Sequence, residues 1–217
     1  KNNKKMYEKS NFVIGVSKKA INGINNASKV ITNWWHPELT KLSISNNKYA
    51  LAIGRLEKVK GFDNLIKSCK NIQTELIIIG SGKEKKNLLN LINQNNLSNK
   101  IKIVEGVKKD DLINFYNDAS VLIVSSRDEG GPRVALEALY LEIPVLSTNV
   151  GHMDQIFPIE LLPESDNQIA LQNHLECYVD NIGTLNQSAI FEFVKNEFCI
   201  DKKISEINKI YNSVLVN

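Results

Sequence analysis

From Tyr49 onward two kinds of segment alternate along the chain. Short runs of nearly unbroken Val, Ile and Leu stand at YALAIG (Tyr49–Gly54), ELIIIG (Glu75–Gly80), IKIVEG (Ile101–Gly106), SVLIVSS (Ser120–Ser126) and IPVLST (Ile143–Thr148). A strand with one wet face alternates apolar and polar positions, whereas an unbroken run marks a strand covered on both faces. Amphipathic stretches at Phe62–Asn71, Glu84–Asn95, Asp110–Ala119 and Arg133–Leu141 separate the runs and predict helices. This alternation predicts an α/β fold, a doubly wound, Rossmann-like parallel sheet.

The residues before Tyr49 read differently. NFVIGVS (Asn11–Ser17) predicts a strand, Lys18–Asn26 a helix, and KVITNWW (Lys29–Trp35) a second strand, followed by a polar, aperiodic SISNNK (Ser43–Lys48) that suits a linker. Residues 1–47 are therefore expected to be the end of a preceding domain plus a linker, with the main domain over 48–200. Ile204, Ile207, Tyr211 and Val214 keep near-helical spacing, which predicts a closing amphipathic helix over 201–217. A start at Lys1 without an initiator methionine leads us to expect a piece of something longer.

Composition narrows the function by exclusion. With 27 Lys+Arg against 24 Asp+Glu, the net charge of +3 is too mild for a nucleic-acid surface, and no aromatic-plus-basic stripe appears. Cys69, Cys177 and Cys199 are odd in number and far apart, and His36, His152 and His174 are equally scattered. This is neither a disulfide framework nor a zinc pattern, so a reduced cytoplasmic setting with no structural metal is expected. No apolar run suits a membrane span; the KNNKK start could still touch an anionic membrane surface. No Asp-x-Asp occurs, which removes the commonest carboxylate clamp for a metal–phosphate complex.

Glycine and arginine mark the chemistry. Gly54, Gly61, Gly80, Gly82, Gly106, Gly130, Gly131 and Gly151 all fall after a strand or before the next helix, on the edge where open α/β sheets bind ligands. Only three arginines occur among the 27 basic residues, and they sit at two of these places: Arg55 in GRLEKVKGF, Arg127 and Arg133 around EGGP. Arg55 with Lys58 and Lys60, leaving a buried strand beside a helix start, make an anion site. Glu129 and Glu137 are eight apart; Pro132 suits a first helical turn, so Gly130 and Gly131 present N–H groups at its start. Glu137 interrupts an otherwise apolar VALEALYL, where a charge is expensive unless it is used. Such carboxylates suit sugar hydroxyls. Arg127 and Arg133 either screen the same rim or pair with Asp128 and its neighbours. NWWH (Trp34–His36) either lines a cleft or packs on the linker.

In order, GRLEKVKGFDNLI, ELIIIGSG, IVEGV and the E-x7-E stretch ending PVLSTNVG resemble the family 4 retaining glycosyltransferases of the GT-B fold, the glycosyl transferases group 1. The resemblance runs from about Phe12 to Ile156 and corresponds to the carboxyl-terminal, donor-binding half, with VIGVSKKA and KVITN resembling the end of the amino-terminal domain. It implies transfer of a hexosyl or N-acetylhexosaminyl group from a nucleoside-diphosphate sugar, UDP favoured over GDP, to a glycan or lipid-linked acceptor, without metal or other cofactor. It further implies that Arg55 and Lys60 hold the leaving diphosphate, that Glu129 contacts the donor sugar, and that Glu137 takes the ribose hydroxyls. Backbone N–H groups of Gly130, Gly131, Pro132, Arg133 and Val134 would form the cradle (proline's own nitrogen excepted), and Gly106 and Val107 would edge the base. The acceptor site would lie in the missing amino-terminal half, so these residues alone are expected to bind a donor without transferring the sugar.

Two departures from the family stand out. Gly131 occupies a place that often holds a bulky apolar residue, and GHMDQI puts His152 and Gln155 where the family usually reads Gly-Gly with a Glu following. A nucleotide-sugar epimerase of the same fold and a non-catalytic nucleotide-sugar-binding module are the competing readings.

Overall fold

The computed structural model describes Ser10 and residues 12–24, 28–35, 48–181 and 185–215. It opens with β1 (Val13–Gly15), α1 (Lys18–Ile21) and β2 (Ser28–Val30), the two strands pairing in parallel as a small separate sheet. The strands expected over 11–17 and 29–35 are thus three residues each, and the helix expected over 18–26 is a single turn. Among the described residues no further strand joins this small sheet. The KNNKK start, His36 and most of SISNNK lie outside the described residues.

The five hydrophobic runs become β3 (Tyr49–Ile53), β4 (Leu76–Ile79), β5 (Ile101–Val104), β6 (Ala119–Val124) and β7 (Val145–Ser147). Between them run α2 (Phe62–Ser68), α3 (Lys85–Gln94), α4 (Lys109–Asp118) and α5 (Arg133–Tyr140); α6 (Gln168–Tyr178), α7 (Ser188–Glu197) and α8 (Ile200–Leu215) follow. All five strands are parallel, in the order β5-β4-β3-β6-β7.

Side-chain alternation along the strands explains the unbroken runs. Ala50 and Ala52 face one cluster with Val121, Ile123, Ile78 and the α2 residues Leu65 and Ile66; Leu51, Leu122 and Val124 face a second with Leu136 and Leu139 of α5. Neither face meets water, so every position of β6 is buried. The helices keep one apolar stripe each, as with Leu88 and Ile92 of α3, four residues apart on its buried side. Asn167 caps α6, accepting a hydrogen bond from the Ala170 N–H at 3.0 Å.

The strand order positions the site. The chain steps outward from β3 to β5, then α4 carries it back across to β6 on the other side of β3. Loops after β3 and β6 therefore leave the same sheet edge in opposite directions, opening a crevice between them at the carboxyl ends of the strands.

α8 departs from the expected stripe. Ile204 and Tyr211 are exposed, while Lys203 and Ile210 are buried. Lys203 lies 5.1 Å from the centre of the Phe198 ring and pairs with Glu206, so its long stem serves as the packing surface. Trp35 stacks on Tyr140 of α5 with ring centres 3.9 Å apart, and its backbone N–H donates to the Phe198 carbonyl at 3.3 Å. Of NWWH, Trp35 therefore packs on α5 rather than on the linker.

Candidate active site

The two crevice loops are tied together at the backbone. Gly61, between a short 3₁₀ turn (Lys58–Lys60) and α2, has φ +64, and a Cβ there would stand 2.0 Å from the Ser125 carbonyl oxygen. Only glycine allows the end of the β3 loop to lie this close to the end of β6. The contact is closed by Ser125 Oγ donating to the Lys60 carbonyl at 3.0 Å and by the Arg127 N–H donating to the Val59 carbonyl at 2.7 Å.

Across this junction Lys60 Nζ pairs with Glu129 Oε1 at 2.8 Å, with the two side chains 18% and 13% exposed. The lysine stem passes over Gly54, where a Cβ would be 3.1 Å from Cε. Ser126 Oγ donates to the same carboxylate oxygen. A cation and an anion predicted as separate ligand contacts thus form one half-buried pair at the switch point.

Of the two roles left open for it, Arg127 takes pairing, but with carboxylates distant in sequence. Its guanidinium forks Asp63 at 2.6 and 3.0 Å, bonds Asp166 through Nε at 2.8 Å, and reaches the Lys58 carbonyl at 2.8 Å. Burial by itself would raise the Asp63 carboxyl, but the Arg127 hydrogen bonds and charge outweigh it and hold it below the usual carboxylate range. A planar fork with donors on several edges serves three segments at once, which lysine cannot do. Arg133 is exposed at the start of α5, and Arg55 projects outward, 73% exposed, against Glu57 at 3.0 Å.

The α5 start lies beside Glu129. Its first-turn N–H groups have no partner within the helix, so Arg133 and Val134 offer donors and the helix dipole adds partial positive charge. Asn33, from the segment after β2, donates to the Gly131 carbonyl at 2.7 Å and steadies this loop. Gly106 and Val107 lie at the end of β5, on the far side of β4 from the junction. Glu137, one turn into α5, accepts a hydrogen bond from Tyr116 at 2.9 Å.

The two departures from the family meet in space. A Cβ at position 131 would stand 2.3 Å from His152 Nδ1. The imidazole fills the room that a side chain at 131 would need, so a bulky residue there and His152 exclude each other. The ring is fully buried, and neither nitrogen has a hydrogen-bond partner among the described residues. Burial, with the Lys203 charge adding to it, lowers its pKa to about 4. Because the unfolded histidine titrates near 6.5, the unfolded chain alone takes up this proton between those values. Stability is therefore complete above pH 6.5 and falls as pH drops toward 4, by about 2–3 kcal/mol at pH 4.5. Chemical denaturation at pH 7.5 and 4.5 should show this difference shrinking by that amount in His152→Gln; an unchanged difference would place the charge-sensitive group elsewhere.

Sequence reasoning missed Tyr116, Ser126 and Asn33. Each is an ordinary residue for its segment, and only the partner, 21, 3 and 98 residues away, makes it part of the site. Among the described residues, no group of three or more His, Cys, Asp or Glu side chains is placed to hold a metal ion.

A parallel sheet in this order, with a crevice at its switch point, is the fold of GT-B glycosyltransferases. The chain matches the family model described as Glycosyl transferases group 1 over residues 39–160, and it belongs to that family. It is 30% identical over 216 residues to an uncharacterized glycosyltransferase of Methanocaldococcus jannaschii, covering 94% of this chain and 60% of that protein. It is 29% identical to the capsular polysaccharide biosynthesis glycosyltransferase CapM of Staphylococcus aureus, over 75% of this chain and 45% of that one. Among solved structures, Anabaena HepE in complex with UDP superimposes with a TM-score of 0.82 at 20% identity, over 94% of this chain and 64% of that one. The chain thus spans about half to two thirds of the length of these proteins.

Proposed function

We propose that these residues form the donor-binding half of a retaining glycosyltransferase that moves a hexosyl or N-acetylhexosaminyl group from a UDP-sugar to a glycan or lipid-linked acceptor, without a divalent metal. The observation that carries this reading is the Lys60–Glu129 pair at the switch point, beside the start of α5.

In this reading the diphosphate lies along the junction. Lys60 turns its ammonium to a phosphate oxygen, and Arg55, exposed and held only at its tip, swings in beside it. The first-turn N–H groups of α5 supply the remaining donors. As the bond from the anomeric carbon to the phosphate oxygen breaks, its electron pair goes to the diphosphate, and these groups stabilise the growing charge. Glu129, relieved of part of its pairing with Lys60, faces the sugar. The acceptor hydroxyl attacks from the same face as the departing phosphate, which takes up its proton. Residues outside these 217 hold the acceptor, at the cytoplasmic side of the membrane if it is lipid-linked. No helix among the described residues is long and apolar enough to cross a membrane. The capsular polysaccharide relative supports a saccharide acceptor, and the UDP-bound HepE structure supports a uridine donor.

Titration calorimetry with UDP, GDP and ADP in EDTA tests the reading. Binding of UDP ahead of the other two is expected in EDTA. Binding that appears only with added Mg²⁺ or Mn²⁺ would overturn metal independence, and no binding of any of the three would overturn the donor assignment.

A further inference from the structure

Tyr116 of α4 has no exposed surface, and a phenol is costly to bury unless its hydroxyl finds a partner. Tyr49 shows the ordinary solution nearby, its hydroxyl bonding the Phe115 carbonyl at 3.1 Å. Tyr116 instead spends its hydroxyl on a carboxylate, donating to Glu137 Oε2 at 2.9 Å. Burial pushes the phenol well above its usual pKa, and the Glu137 charge and hydrogen bond push the same way, so it keeps its proton and remains a donor.

The surroundings make this contact specific. Glu137 rises from a helix whose Ala135, Leu136, Ala138 and Leu139 have no exposed surface, so the apolar core fixes its backbone. A glutamate side chain still has three rotatable bonds, and a carboxylate recognises a vicinal diol well only when its plane is held. α4 itself begins just past Val107, which packs against the same cluster as Tyr116. One helix therefore runs from the loop at the β5 end to a rigid phenol that bears on Glu137. A carboxylate can accept about four hydrogen bonds, and the one from Tyr116 fixes the plane in which the others can form.

We infer that Tyr116 is a positioning residue of the ribose subsite, holding the Glu137 carboxylate so that it accepts from both vicinal hydroxyls of the donor's ribose. This inference rests on the donor reading above and assigns a discriminating device within it: a nucleotide lacking the diol should lose what Tyr116 provides.

Calorimetry with UDP and its 2′,3′-dideoxy analogue tests this on the full chain, for wild type, Tyr116→Phe, Glu137→Gln and the double variant. Wild type should prefer UDP by about tenfold or more, the scale of hydrogen bonds to a charged group. Tyr116→Phe should cut that preference to about threefold with the dideoxy affinity unchanged, and should add nothing once Glu137→Gln is present. Both nucleotides are titrated against the same folded protein, so a general loss of stability cancels. Incorporation of 3-fluorotyrosine, a stronger donor of nearly the same shape, should raise the preference and stands in if Tyr116→Phe does not fold. Equal weakening of both nucleotides by Tyr116→Phe, or no rise with fluorotyrosine, would overturn the positioning role. Loss of the preference in Glu137→Gln but not in Tyr116→Phe would overturn it while leaving the donor reading intact. A preference untouched by Glu137→Gln would overturn the ribose assignment and this inference with it.

Discussion

Lys60→Ala is expected to weaken UDP binding by at least about tenfold while leaving uridine binding within about twofold, the difference set by a charge-assisted hydrogen bond of roughly 1.5–3 kcal/mol. Lys60 is the better placed of the two cations predicted for the diphosphate. Its ammonium already sits at the junction of the β3 and β6 loops, 2.8 Å from Glu129, whereas Arg55 must first leave Glu57. Removing the lysine also leaves the half-buried Glu129 carboxylate without its cation, adding a net negative charge where the proposed diphosphate would lie. Both consequences fall on the phosphates rather than the nucleoside. Calorimetry with uridine and UDP separates them, and equal losses for the two would mean that the loop holds something other than phosphate. Arg55→Ala should act in the same direction.

A large loss of stability is expected from Gly61→Ala. Two costs add. An alanine in the left-handed region costs roughly 1–2 kcal/mol, and forcing an extra carbon into a filled site costs typically 1–3 more. The added Cβ would meet the Ser125 carbonyl oxygen at 2.0 Å, and neither backbone is free to retreat. Gly61 donates to Lys58 at 3.1 Å and accepts from Leu65 at 3.0 Å, while Ser125 and Arg127 are bonded back to Lys60 and Val59. The sum, about 2–5 kcal/mol, corresponds to a fall in melting temperature of roughly 5–15 °C for a chain of this size. Relief of the clash would separate the loops and pull Lys60 from Glu129, so UDP affinity should fall along with stability. Calorimetric melting with and without UDP checks both. A shift under about 2 °C would show that the loops slide apart easily and that the crevice is not rigidly built.

The features legible in the sequence are those with a local cause. An unbroken run such as SVLIVSS announces a strand covered on both faces, because a wet face would have demanded polar residues at alternate positions; β6 is accordingly buried throughout. Gly-Gly-Pro before an apolar stretch announces a helix start, and α5 begins at Arg133. The shortage of arginine made Arg55, Arg127 and Arg133 conspicuous, and the resemblance then attached roles to their neighbourhood. What arginine does at 127 was not legible: its partners Asp63 and Asp166 lie 64 and 39 residues away. The same holds for Lys60 and Glu129, 69 apart, and for Tyr116 and Glu137. Those pairings depend on which strands become neighbours, and strand order comes from the crossover of α4 between the sheet's halves, which leaves no periodic trace in the residues that it brings together. Shape complementarity is equally non-local. Nothing along the chain linked Gly131 to His152, and near-helical spacing chose Ile204 and Tyr211 for the buried side of α8. Packing chose Lys203 and Ile210 instead, because the Phe198 ring offers a lysine stem and its charge a better seat than open water.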